Sequence, residues 1–361
     1  MRNGKLLKLA QALGLAFALL LLIALPEAAA GAAQDGLALC ARVVLPSLFP
    51  FFVCSQLFLQ LGFAARLSRM LSRPVSRLLR LPVQAGSAFV LGLFGGYPAG
   101  AQIACGLYEK KLLTRQEAER ALAVCNQAGP SFIFGVLGGA VFGSAATGAF
   151  LYGVQLLSAV LVCRLSGREC QENTAAALPP EAPDISFAAA FSEAVRRAGL
   201  SAGQVCMFVT VFSVLSRFLL LAIGTWLPGQ ALPLALGAME LSAGCAALGS
   251  CDLPVLWKLC LASALLSFGG CSVLAQSRAV AADAGLQGKL LVPCKLLQAA
   301  VSAALSLLFA SLLHAEAWCI PAAAPVSSPI QTAGSCVLLL CTMLCMYFRK
   351  VTHSIPARHR V

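Results

Sequence analysis

Long apolar runs dominate the chain, and the places where Gly, Pro and small polar residues interrupt them carry the most information. Residues 6–25, 37–61, 146–163, 202–224, 254–276, 290–313 and 332–348 each read as an apolar helix of the length a bilayer crossing needs, about 20 residues. An eighth begins at Thr114, where T-R-Q-E has the spacing of a capping box, breaks at Asn126-Gln-Ala-Gly-Pro130 and resumes as SFIFGVLGG. Two further apolar stretches are interrupted near their middle. Residues 83–106 carry Gly92, Gly95, Gly96, Pro98 and Gly100, and LPLALGAMELSAGCAALG carries Gly237, Glu240, Ser242 and Gly244. Both read as re-entrant hairpins, because irregular backbone is tolerated at membrane depth only where protein buries it or where it lines a cavity.

Charge places these elements. Arg2, Lys5 and Lys8, the series Arg66, Arg69, Arg73, Arg77 and Arg80, Lys110, Lys111 and Arg115, Arg164 and Arg168, and the tail RKVTHSIPARHRV fall on one side of the map; Glu27, Asp35, Asp252 and Glu316 fall on the other. The positive-inside rule then gives cytoplasmic N- and C-termini, eight spans and two hairpins, the first hairpin opening from the cytoplasm and the second from outside. The order span, hairpin, broken span, span occurs twice with opposite orientation. This is the inverted repeat of many alternating-access transporters. It divides the chain into an anchor or signal-like segment (1–35), a first repeat (36–165), a Pro-containing cytoplasmic linker (166–186), a second repeat (187–313), and a loop, last span and basic tail (314–361). The first run is read as a retained anchor, with cleavage at the small residues after Pro26 as the alternative. The arginines at 66–80 recur every three or four residues, as on one face of a helix lying against anionic headgroups.

With 59% hydrophobic and 11% charged residues in 361 and a mean hydropathy of +0.85, the expected class is an all-α polytopic membrane protein with no soluble domain. The net charge of +12 follows from topology and does not indicate nucleic acid. Sixteen cysteines lack CxxC spacing and histidine partners, and read as small apolar fillers. No G-x-S-x-G, P-loop or HExxH occurs, so neither an enzyme nor a cofactor or metal site is expected.

Ionisable groups inside apolar runs usually face a cavity. Glu240 lies mid-hairpin and Arg217 deep in its span, whereas Arg42, Lys258 and Lys295 lie nearer helix ends and read as snorkelling to the interface. At the helix breaks, Gly95, Gly96, Tyr97, Asn126, Gln127, Ser131, Ser267 and Gln276 offer free backbone and neutral polar groups, with helix N-termini that favour an anion. The competing account of the glycines is close helix packing.

VLPSLFPFF, GGYPAGA, TRQEAERAL, N-x-x-x-P-SFIFG and LSFGG-x-SV-x-Q, in this order over about residues 36–313, resemble the YlbJ-type sporulation integral membrane proteins, of the nucleoside-recognition or Gate group. The resemblance implies transport of dipicolinic acid across the outer forespore membrane during endospore formation. Arg217 would then help bind the dianion, and Glu240 would orient Arg217 or carry a coupling proton. A coupling cation, a nucleoside or nucleobase substrate, and a non-transporting scaffold for spore assembly remain open, as does the oligomeric state. The partners expected are this small anion and membrane lipid.

Overall fold

The computed structural model describes residues 2–166 and 186–319. Most of the expected linker, the span at 332–348 and the basic tail lie outside the described residues. In chain order the helices are α1 (Arg2–Ala24), α2 (Pro26–Leu39), α3 (Leu45–Gln60), α4 (Phe63–Leu79), α5 (Val83–Gly95), α6 (Ala99–Glu109), α7 (Arg115–Cys125), α8 (Ala145–Leu165), α9 (Phe187–Ile223), α10 (Leu232–Met239), α11 (Leu241–Ser250), α12 (Val255–Phe268), α13 (Gly270–Asp283) and α14 (Leu291–Leu313). Wide-turn π segments cover Cys40–Val44 and Ser131–Val141. Among the described residues there is no strand.

Five stretches are long and apolar enough to cross a membrane, Pro26–Gln60, Ala145–Leu165, Phe187–Trp226, Val255–Asp283 and Leu291–Leu313, or six if the pair Arg66–Leu79 and Val83–Gly95, bent by 108°, is one span. The remaining expected crossings are the shorter apolar helix Ala12–Ala24, the pair formed by α7 and the π segment Ser131–Val141, and the run at 332–348 outside the described residues.

One boundary differs from expectation. Residues 26–36, expected as an outer loop, are helical and continue without a gap to Gln60. Alanine is the strongest helix former, Pro26 takes a first-turn position where its missing N–H costs nothing, and Glu27 stands in that first turn. The kink expected from Pro46 and Pro50 appears as the wide turn, in which the Leu45 N–H reaches back to Cys40 O. Pro46 cannot donate to the carbonyl of Arg42, so the ladder slips by one residue.

Helix α9 has 37 residues, roughly 55 Å, more than a bilayer crossing requires. Its first turns carry an exposed cluster in which Arg196 and Arg197 donate to Glu193 at 2.6–2.7 Å.

The capping box forms at α7: Thr114 Oγ1 accepts from Glu117 N at 3.4 Å, and Glu117 Oε2 accepts from Thr114 N at 2.8 Å. One turn on, the helix buries a carboxylate and a guanidinium. Glu119 Oε1 accepts from Gln287 N at 2.8 Å and Gly288 N at 3.0 Å, in the turn before α14. Arg120 donates to Arg80 O at 3.4 Å and Cys163 O at 3.3 Å, at the ends of α4 and α8. This clasp ties the first half to the second. Glu119→Ala leaves two backbone donors without an acceptor and is expected to cost about 2 kcal/mol. Glu119→Gln retains an acceptor oxygen and should cost less, and thermal melts of both variants check the order.

Candidate functional site

Each half folds a short helical hairpin against a break in a longer helix, and glycine permits the approach. In the first half α5 and α6 turn back on one another at Gly96-Tyr97-Pro98. A Cβ on Gly100 would lie 1.9 Å from Cys125 O, one on Gly92 2.5 Å from the same oxygen, and one on Gly96 3.0 Å from Gly129 N. The hairpin thus lies directly on the Asn126-to-Pro130 break that separates α7 from the π segment. In the second half α10 and α11 fold back about Glu240, where a Cβ on Gly244 would be 2.2 Å from Gly237 Cα. That hairpin meets the break between α12 and α13: a Cβ on Gly270 would lie 2.9 Å from Gly237 O and 3.2 Å from Leu241 N. Gly269 and Gly270, with φ of +83° and +79°, make the break in the left-handed region that glycine favours.

The two halves meet through Tyr97. From the first hairpin tip its hydroxyl donates to Leu266 O at 2.9 Å, a carbonyl in the last turn of α12, where helical donors run out. A Cβ on Gly269 would touch the same ring, 3.4 Å from Cζ. Tyr97→Phe is expected to leave Leu266 O unsatisfied at a cost of about 1 kcal/mol, visible as a lowered melting temperature with the ring packing retained.

The tips and breaks line a partly open cavity of about 60 Å³. Its wall combines aromatic rings (Phe52, Tyr97, Phe132 and Phe208) with converging polar groups (Ser131, Glu240, Ser242, Ser272 and Gln276). The volume suits a few waters and falls well below the several hundred Å³ of an open ligand site. Glu240, 4% exposed, has extended backbone between α10 and α11, and its Oε2 accepts from Ala243 N at 2.7 Å. The acid caps α11 itself, so that helix start already holds a carboxylate.

Behind Tyr97 lies a buried amide network. Gln127 and Gln298 form a reciprocal pair, with Nε2 to Oε1 distances of 3.2 and 2.9 Å. Gln155 Nε2 donates to Gln127 Oε1 and Ala128 O, both at 3.2 Å, and Asn126 Nδ2 donates to Ser277 Oγ at 2.6 Å. Lys295 joins it from α14, donating to Asn126 O and, at 3.1 Å, to Gln298 Oε1, with its Nζ 5.4 Å from the centroid of the Tyr97 ring.

Of the residues singled out in the sequence, Gly96, Tyr97, Ser131, Glu240 and Gln276 line the cavity. Asn126 and Gln127 form the network behind it. Gly95 closes the first hairpin, its Cβ position 2.5 Å from Ala99 Cβ, and Ser267 is buried at the end of α12 with no partner for its hydroxyl. Arg217 is exposed on α9, about 14 Å along that helix from the cavity residue Phe208, and is not brought to the site. Lys295, expected to snorkel, is 1% exposed, so that expectation is corrected. A signal for it exists in the sequence. Lys295, Gln298, Ser302 and Ser306 follow at three- and four-residue intervals on one face of α14, and all are buried. A buried polar stripe on an apolar helix marks a face turned to protein.

Over 327 aligned residues the chain is 27% identical to "Sporulation integral membrane protein YlbJ" of Bacillus subtilis (strain 168), covering 81% of this chain and 80% of that protein. The resemblance is to a YlbJ-type protein. No protein-family profile and no solved structure matches. Like YlbJ, by its printed name, the chain is an integral membrane protein, all-α and multi-pass.

Proposed function

We propose that this protein carries a small aromatic anion across a membrane, with dipicolinic acid as the substrate and the outer forespore membrane of a sporulating cell as its place, the two termini facing the mother-cell cytoplasm. The observation that carries the reading is the convergence of two hairpin tips and two helix breaks on one cavity, the arrangement from which transporters build mid-membrane sites. Similarity to a sporulation integral membrane protein supports the cellular setting.

The chemistry of the wall fits a flat ring. Phe52, Phe132 and Phe208 offer apolar faces, while Ser131, Ser242 and Gln276 offer donors to carboxylates. Lys295, one ring away behind Tyr97, is the basic side chain set beside the centre, a role expected from the sequence for Arg217. Movement of one repeat against the other would widen the cavity alternately to each side, and Glu240 at the second tip is the group placed to carry a coupling proton.

The test is uptake of labelled dipicolinate into liposomes holding the purified protein, with uridine as competitor. Saturable uptake unaffected by uridine is expected. Competition by uridine would replace the substrate with a nucleoside. Absence of both activities from folded protein would replace transport with a scaffolding role.

A further inference from the structure

Lys295 is held in an unusual way. Among the described residues its ammonium makes no ion pair; its partners are the backbone oxygen of Asn126, the amide oxygen of Gln298 and the face of the Tyr97 ring. Asn126 O belongs to the break after α7, where the chain leaves helical geometry, and the Oδ1 of the same residue is buried without a partner. A carbonyl freed at a helix break, an amide oxygen and an aromatic face are the ligands that hold a monovalent cation in protein interiors, and transporters use such freed carbonyls to bind coupling ions.

We propose that the first break is a monovalent-cation cage filled by the chain's own Lys295 Nζ, so that no free cation is taken up there. The cage selects for ammonium-type ions, because two hydrogen-bond acceptors and a π face suit N–H donors better than a bare alkali ion. The consequence for coupling rests on the transport reading. The cage itself does not, and it is tested without transport.

Lys295→Ala removes a fragment equivalent to n-propylammonium and leaves Asn126, Gln298 and Tyr97 in place. The full-length variant and wild type are melted in choline chloride and in rising concentrations of n-propylammonium, methylammonium, sodium and potassium chlorides. In choline the variant is expected to melt below wild type. Propylammonium should then raise its melting temperature saturably, as binding to the folded state alone requires, and recover at least half of the loss, with methylammonium acting less and the wild type unmoved. No rise beyond the choline control, or an equal rise in the wild type, overturns the proposal. If Lys295→Ala does not accumulate, Lys295→Ser vacates the same space and is treated alike. Recovery of either variant only when extracted in propylammonium supports the cage, and recovery in none of the salts overturns it. These melts stand whether or not the wild type moves dipicolinate, so failure of the transport reading and failure of the cage are separate results.

Discussion

Gly100→Ala is expected to leave little or no folded protein. The added methyl would sit 1.9 Å from Cys125 O, and the atom in its way is backbone at a helix break, which cannot rotate aside as a side chain would. Separating the hairpin from α7 by an ångström or more also disturbs Asn126, whose carbonyl and amide tie the break to α14 and α13. Overpacking of this kind costs about 3 kcal/mol or more, roughly 4 °C or more in melting temperature for a chain of this length. Gly244→Ala in the second hairpin, 2.2 Å from Gly237 Cα, is expected to behave alike. Gly106→Ala, on the same helix as Gly100 with nothing within 4 Å of its Cβ, is the control and should be neutral. Size-exclusion profiles and melts of detergent-solubilised protein decide between general intolerance to side chains in α6 and a clash at one contact.

Lys295→Met is expected to separate stability from activity. The thioether keeps the stem that fills the space, so no large cavity opens. The change leaves Asn126 O without its ammonium donor, a cost of about 1–3 kcal/mol, but it also removes a desolvated charge that no carboxylate compensates, a gain of similar order. The melting temperature should therefore move by less than about 5 °C. Under the transport reading, uptake of dipicolinate should fall about 30-fold or more, the size of effect that follows from losing one buried charged interaction with an anion. Initial rates in proteoliposomes, set beside the melts, check both halves of the expectation. A large fall in melting temperature with the rate per folded molecule unchanged would make Lys295 a structural residue.

The parts of the site legible in the sequence are those where the chain breaks its own pattern. Gly96, Tyr97, Ser131, Glu240 and Gln276 stand at interruptions of apolar helices, and interruptions must be buried in protein; the structure gathers all five around one cavity. Positions inside uninterrupted helices carry no such mark, because sequence position alone does not say which face of a helix meets protein. Arg217 lies near the middle of its apolar run, yet α9 turns it outward. Lys295 is the fifth residue of α14, where a long side chain normally reaches the interface, yet α14 faces the amide network there. Its periodic Gln and Ser partners outweigh proximity to the helix end. Glu119 and Arg120 carry no mark of their own in the sequence beyond lying in the first turns of the helix that begins at Thr114. Their burial depends on helix ends from three distant segments, which no local pattern encodes.

The bond between Lys295 and Asn126 spans 169 residues of sequence. At the ordinary pace of synthesis, that distance takes about 10 to 30 s to translate. Until α14 is made, the polar break and the amide cluster of the first half lack the Lys295 and Gln298 side chains that complete them. The last helix of the second half is thus the closing piece of the first, and a chain truncated before α14 would release two incomplete halves instead of one finished repeat.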